Sequence, residues 1–325
     1  MKPRLDIQFP LRRQLQYWCG ERYEPQKGEY LLNHARTGMV MALRAALPKG
    51  GRVGVVVYNC HTVANAVVNA GCVPVFMDVT EKLTIDVESV PANLDAIVVT
   101  NLFGIRNNIA AIKKRCPSAV VIVDNAHGYG LPTEGEFTVY SINQGKFPSL
   151  GEGGLLYANE EWRLKIKDLY KALPKYGFIE QMRLFGQMLI KAIAYSRCLY
   201  RLTMKMKKSL NPKAHQKVVM KKMAPGIRRL YKVILPEIPK MIELQRQNAA
   251  MIDGAFYGEN AFMAIVKCEN PEALKAAYAA KGIETETHFK HCVEWAEQFG
   301  YKRGSCPKAE YLIRHLLMIP TYTKI

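Results

Sequence analysis

The apolar positions of this chain fall into two kinds of stretch. Short unbroken runs, Arg52–Tyr58 (RVGVVVY), Val73–Asp78 (VPVFMD), Asp95–Thr100 (DAIVVT) and Ala119–Val123 (AVVIV), are rich in β-branched residues and read as strands buried on both faces. Between them, Asn33–Leu47, His61–Ala70 and Ile109–Arg115 repeat with helical spacing; the first carries Val40, Met41, Leu43, Ala46 and Leu47 on one face. A shorter strand, Phe137–Ser141, follows a Gly/Pro/Glu turn. The alternation predicts an α/β, three-layer domain around a mostly parallel sheet.

In such a sheet ligands bind beyond the carboxyl ends of the strands, so the residue types found there matter most. Asp124 stands where the Ala119–Val123 strand ends and His127 lies three residues on. Ser141 closes the next strand, and Lys146 follows five residues later, ahead of a glycine-rich loop that ends in Gly153 and Gly154. A pyridoxal phosphate site needs an amine that forms a Schiff base and a carboxylate that pairs with the pyridinium nitrogen. Lys146 and Asp124 suit those roles, while His127 could hydrogen-bond the ring hydroxyl or lie against the ring, and Ser141 could donate to the phosphate. The same spacing also fits a doubly wound domain in which Asp124 caps a helix and Lys146 is solvated.

Thr37 and Gly38, where the first helix is entered, could receive a phosphate on free backbone N–H groups, or could simply start a helix. His61, just past the Tyr58-Asn59-Cys60 strand end, is placed to stack on a planar cofactor, with Cys60 or Tyr58 lining the same spot; a helix start reads alike. There is no Gly-x-Gly-x-x-Gly after the first strand and no P-loop, which weighs against dinucleotide and P-loop chemistry.

Composition adds a partner. The 325 residues are 49% hydrophobic, enough for a sizeable core, and the length suggests about two domains. Eight cysteines without a Cys-x-x-Cys pair, and no secretory pattern over Met1–Gly20, suit the reducing cytoplasm. The net charge of +18 implies an anionic partner: nucleic acid, acidic lipid or a phosphorylated substrate. Most of it is concentrated in Gln181–Pro236, which holds fourteen Lys and Arg and no Asp or Glu. Overlapping this segment, Phe178–Met204 has roughly the length of a membrane span, but Arg183, Lys191, Arg197 and Arg201 interrupt it. Its spacing suits an amphipathic helix in an anionic lipid interface, a helix packed on a partner, or a lid over a diphosphate. Lys213–Lys217 lacks the interleaved aromatics of a nucleic-acid surface, and His288 with His291 lacks the company of a zinc site, so neither nucleic acid nor metal is expected.

The order of the blocks, from Thr37-Gly38 through YNCHTVANAVVNAGCVPVFMDV, TNLFG, VIVDNAH, SINQGK and GEGG, resembles the DegT/StrS family of sugar aminotransferases, pyridoxal phosphate enzymes of fold type I. ELQRQNA (243–249), KGIETETHF (281–289) and GSCPKAEYLIRHLLMIPTY (304–322) extend the likeness towards the C-terminus. The resemblance implies Lys146 as the Schiff-base lysine, Asp124 as partner of the pyridinium and His127 near the ring hydroxyl. It puts Thr37, Gly38 and Ser141 at phosphate positions and the stacking residue at Cys60 or His61. It further implies a large cofactor domain over residues 1–175 with an N-terminal arm, a basic insertion over 176–225 and a smaller α+β domain over 226–325.

The implied reaction moves an amino group from an amino acid, glutamate by resemblance, to a nucleotide- or lipid-linked keto-sugar in cell-surface polysaccharide or lipopolysaccharide biosynthesis. A homodimer is implied, cytoplasmic or peripheral on the inner face of the membrane through 178–222. Related enzymes that dehydrate have His at the lysine position, so Lys146 favours transfer. Two departures stand out: the 22-residue interval from Asp124 to Lys146 is short for the family, and the Gly-Tyr-Asn-x-Arg segment, whose Asn reaches the partner's phosphate, is absent. The alternatives are a non-catalytic protein of the same fold that binds an anionic membrane surface or a biosynthetic enzyme, and a glycosyltransferase-like peripheral protein, which would have no use for Lys146.

Overall fold

The computed structural model describes residues 15–194 and 216–322. The anticipated runs form β2 (Arg52–Val56), β3 (Val73–Met77), β4 (Ala96–Thr100), β5 (Val120–Asn125) and β6 (Phe137–Ser141). Two further strands, β1 (Glu29–Leu32) and β7 (Gly154–Ala158), complete a seven-stranded sheet of order β1-β7-β6-β5-β4-β2-β3. The strands from β3 to β6 run parallel; β7 returns antiparallel beside β6, and β1 antiparallel beside β7. The strand order reverses between β2 and β4, and such a switch point opens a crevice at the carboxyl edge.

Alternate residues feed opposite layers, as the period of a strand requires. Ala96, Val98 and Ile122 join a core with Met39, Val40 and Leu43 of α1 (Ala35–Ala46), whereas Ile97, Val99, Val121 and Val123 face the other layer with Ile112 of α3 (Ile109–Arg115) and Ile227 and Leu230 of α6 (Pro225–Ile234). The helix α2 (His61–Asn69) follows β2, and α4 (Arg163–Ala172) follows β7. The C-terminal part pairs β8 (Met263–Lys267) with β9 (Leu316–Pro320), surrounded by α7 (Ile238–Ala250), α8 (Pro271–Ala280), α9 (Cys292–Glu297) and α10 (Pro307–His315). It is tied to the sheet by Asp78, at the end of β3, whose carboxylate accepts from the Lys308 and Ala309 N–H groups at the start of α10 at 3.0 and 2.7 Å.

The remaining helix, α5 (Phe178–Ala194), buries Leu184 and Met188 in the same core as Phe147 and Leu150 of the lysine loop. Its other side is open: Phe178, Ile179, Ile190 and Ile193 are each more than half exposed. The amphipathic stretch anticipated over 178–204 is therefore helical as far as Ala194, and its remainder lies outside the described residues, as do residues 1–14 of the N-terminal arm and Lys213. Part of the basic segment is structural. Arg228 donates to the Tyr23 carbonyl and to Glu24, Arg229 donates to the Tyr17 and Gly20 carbonyls, and Lys221 pairs with Glu180. No helix among the described residues is long and apolar enough to cross a membrane.

Candidate active site

A cavity of about 160 Å³ opens at the switch point, walled by residues from the ends of β2, β4, β5 and β6, by the first turn of α1 and by Phe289. Asp124, Lys146, His127 and Ser141 all line it. Asp124 is 3% exposed, at the last register position where β5 pairs with β4. Burial raises its pKa, opposed by the Ala126 N–H, the charge of Lys146 and the Thr100 hydroxyl. Ala126 N–H donates to one carboxylate oxygen at 3.0 Å and Thr100 Oγ1 to the other at 3.4 Å, while Asn59 Nδ2 donates to Thr100 Oγ1 at 3.0 Å. One carboxylate is thus held by groups from three neighbouring strand ends.

His127 is buried and clamped. Its ring stacks on Phe103 at 5.0 Å and on Phe289 at 5.8 Å, two non-glycine residues with φ of 53° and 59°. Backbone held in that region costs on the order of 1–3 kcal/mol per residue and persists where packing over-determines it. Burial, and then the charge of Lys146, push the His127 pKa well down, so the ring is neutral. The Phe103 N–H approaches Nδ1 at 3.4 Å, and Lys146 Nζ lies 2.7 Å from Nε2. A neutral imidazole accepts at the ring nitrogen that carries no hydrogen, so its tautomer sets whether Nε2 or Nδ1 is the acceptor between these two neighbours.

The start of α1 lies hard against β7. A Cβ on Gly154 would come within 2.2 Å of the Ala35 nitrogen and 2.3 Å of the His34 carbonyl carbon, so only glycine permits the approach. Burial, and then the charge of Arg36, push the His34 pKa down to about 4. Neutral His34 donates from Nδ1 to Asn143 Oδ1 at 3.1 Å, and that oxygen also accepts from the Gly153 N–H at 2.9 Å. The Asn143 N–H in turn reaches Ser141 Oγ at 3.5 Å. The helix start, the lysine loop and Ser141 are joined in this way at one end of the cavity.

Three sequence expectations land elsewhere. Thr37 is fully buried and donates to Asn33 Oδ1 at 2.7 Å, and Gly38 faces Leu32, Val139 and Leu156, where a Cβ would be tight. Both point into the sheet, and Ala35 and Arg36 line the cavity instead. His61 does not line it; its ring meets Trp295 edge-on at 4.9 Å, because α2 starts there and turns the side chain towards α9. The position on the cavity wall belongs to Cys60, one residue earlier. Burial would raise the Cys60 pKa, but His61, Lys146 and the Thr62 hydroxyl, which donates to Sγ at 3.2 Å, bring it down to about 7. Arg36, Asn59, Thr100, Asn143 and Phe289 were not singled out from the sequence; a polar residue at each strand end was the available signal for Asn59 and Thr100.

An amine and a buried carboxylate on one cavity, with backbone and hydroxyl donors at one end, form a donor set that fits a phosphorylated pyridine aldehyde, and the doubly wound sheet is that of a fold-type-I pyridoxal phosphate enzyme. The chain belongs to the DegT/DnrJ/EryC1/StrS aminotransferase family, whose profile matches residues 31–325, and it is a pyridoxal phosphate-dependent aminotransferase. Among solved structures it is similar to the sugar aminotransferase CalS13 from Micromonospora echinospora, at 17% identity over 99% of this chain and 95% of that one, with a TM-score of 0.70. It is also similar to DesI, crystallised with its TDP-sugar product, at 18% identity over 90% and 75% with a TM-score of 0.67. A third is Spr1654 from Streptococcus pneumoniae in its PLP form, at 13% identity over 98% and 93% with a TM-score of 0.67. No curated protein matches the chain.

Proposed function

We propose that this aminotransferase moves an amino group from an amino acid, with glutamate as donor, to a keto-sugar carried on a nucleotide or a lipid, in the assembly of a cell-surface polysaccharide or lipopolysaccharide. The observation that carries the reading is the cavity shared by Lys146 and Asp124, with neutral His127 at 2.7 Å from the lysine amine. The sugar acceptor is supported by the family and by CalS13 and DesI, similar proteins whose descriptions name sugar chemistry.

When bound, pyridoxal phosphate supplies an electron sink for charge that develops on the carbon bearing the amino group. In this reading Asp124 pairs with the ring nitrogen; a positive charge there offsets its burial and keeps the carboxylate ionised. Lys146 would hold the cofactor and would take and return the migrating proton at Nζ. His127, with Nε2 at 2.7 Å from Nζ, orients that amine. Ser141 and the first-turn N–H groups of Ala35 and Arg36, which have no intrahelical partners, receive the phosphate.

The working form is a homodimer in the cytoplasm, resting on the inner face of the membrane through α5. The test is a pair of half-reactions on the reconstituted protein. Glutamate should bleach the yellow lysine-bound absorbance with release of 2-oxoglutarate, and a panel of keto-sugar nucleotides and lipid-linked analogues should restore it. If no keto-sugar restores the colour while simple keto acids do, the sugar assignment fails and a general aminotransferase remains.

A further inference from the structure

We propose that Arg36 is the charged partner of the cofactor's phosphate, so that this chain completes its own phosphate site with a guanidinium. Arg36 occupies the second position of α1, lines the cavity, and sits at the end where His34, Asn143, Ser141 and Gly154 converge. It is partly buried and, among the described residues, makes no hydrogen bond or ion pair. Two groups that could carry negative charge act on it at longer range, Cys60 and Glu152. Glu152 is already engaged by the Tyr176 hydroxyl and is shared with Lys221 and Lys191. The charge of Arg36 is also felt by His34, which it helps keep neutral.

A guanidinium withdrawn from water without a bonded anion is costly, and the cost is removed when an anion with matching geometry arrives. A phosphate dianion offers that geometry, since two parallel N–H groups of Arg can bond two of its oxygens. Lysine at this position would supply charge without the fork. Glu152 would then be a stand-in counter-charge in the cofactor-free protein and a source of repulsion in the loaded one.

The proposal rests on pyridoxal phosphate being the cofactor but not on the identity of the sugar or donor. It is tested by titrating wild-type, Arg36→Met, Arg36→Lys and Glu152→Gln apoproteins with pyridoxal phosphate and with pyridoxal, which lacks the phosphate. Tryptophan quenching gives Kd, and inorganic phosphate serves as competitor. Arg36→Met should weaken pyridoxal phosphate by about tenfold to a hundredfold, the range for a lost charge-assisted pair, while pyridoxal affinity is retained. Arg36→Lys should fall between, Glu152→Gln should tighten pyridoxal phosphate, and inorganic phosphate should compete with it less well in Arg36→Met than in wild type. Retained pyridoxal binding also reports that the variant is folded. Equal weakening of both compounds would mean that Arg36 only shapes the cavity, and an unchanged Kd for pyridoxal phosphate overturns the proposal outright. A wild-type protein that takes up neither compound removes the cofactor reading and this inference with it, whereas failure with every keto-sugar leaves the Kd ratios untouched.

Discussion

Two parts of this molecule, one helix apart, are built on opposite principles. At the carboxyl edge of the sheet the polar groups are buried and tied to one another: Asn59 to Thr100, Thr100 to Asp124, Lys146 to His127, His34 to Asn143. On the outer side of α5 the large residues are apolar and exposed, with Arg183 beside them. The two meet through Leu184 and Met188, which pack with Leu150 under the lysine loop. A site that performs chemistry has its geometry fixed before the substrate arrives, because reorganisation during the reaction would raise the barrier. A surface that only has to hold the protein in place carries area and charge without fixed partners. The contrast places the buried polar network at the sheet edge and the open apolar face on α5.

The contrast can be broken most directly at Lys146. Lys146→Ala should lose the visible cofactor absorbance and slow transfer by about a thousandfold or more, with the far-ultraviolet circular dichroism unchanged. Two glycines come next. Gly154→Ala drives a methyl group into the His34–Ala35 peptide and should destabilise the fold by about 1–3 kcal/mol in chemical denaturation. Gly186→Ala, in α5, meets nothing within 4 Å and should stabilise by about 0.5–1 kcal/mol; a loss there would mean that α5 is packed more tightly than described.

Third, iodoacetamide should modify Cys60 at a rate that climbs as pH rises through about 7, because its thiolate is favoured by His61, Lys146 and Thr62 over the cost of burial. Pyridoxal phosphate should protect it, whereas Cys306, pushed up to about 12 by burial, stays unreactive over the same range. The smallest effect on the fold is expected for Ile179→Glu with Ile190→Glu, less than about 0.5 kcal/mol for each exposed substitution. The same pair should abolish flotation with anionic liposomes; wild-type protein that stays in the pellet would dismiss the membrane contact and leave a protein partner for this face.

Much of this was legible in the chain. The strands β2 to β6 were readable because runs such as AIVV and VVIV are buried on both faces, and the position of Asp124 followed from where one of them stops. The edge strand β1 and its neighbour β7 were missed: β1 has only four residues, and Gly154, which begins β7, reads as loop. Which residue of a helix start lines the cavity was less legible. Successive residues on a helix point about 100° apart, so Thr37 and Gly38 sit off the wall that Ala35 and Arg36 line, and of Cys60 and His61 only Cys60 lines it. Local spacing locates a helix start but not which way it is rotated. That rotation is set by contacts such as Gly154 against Ala35, which join positions more than a hundred residues apart.

The antiparallel return of β7 has one more consequence. Ser141 is paired with Gly154, Ile142 with Gly153, and Gln144 bonds back to Gly151, so the segment that carries Lys146 is a hairpin closed rung by rung from its base. A hairpin of this kind is counted rather than merely composed. One residue added or removed within either arm, between Ser141 and Gln144 or between Gly151 and Gly154, would break that pairing and reverse the side on which the arm presents its side chains. Residues in this loop can therefore drift in identity far more freely than the loop can drift in length, and a designer transplanting the site would have to carry the hairpin over whole.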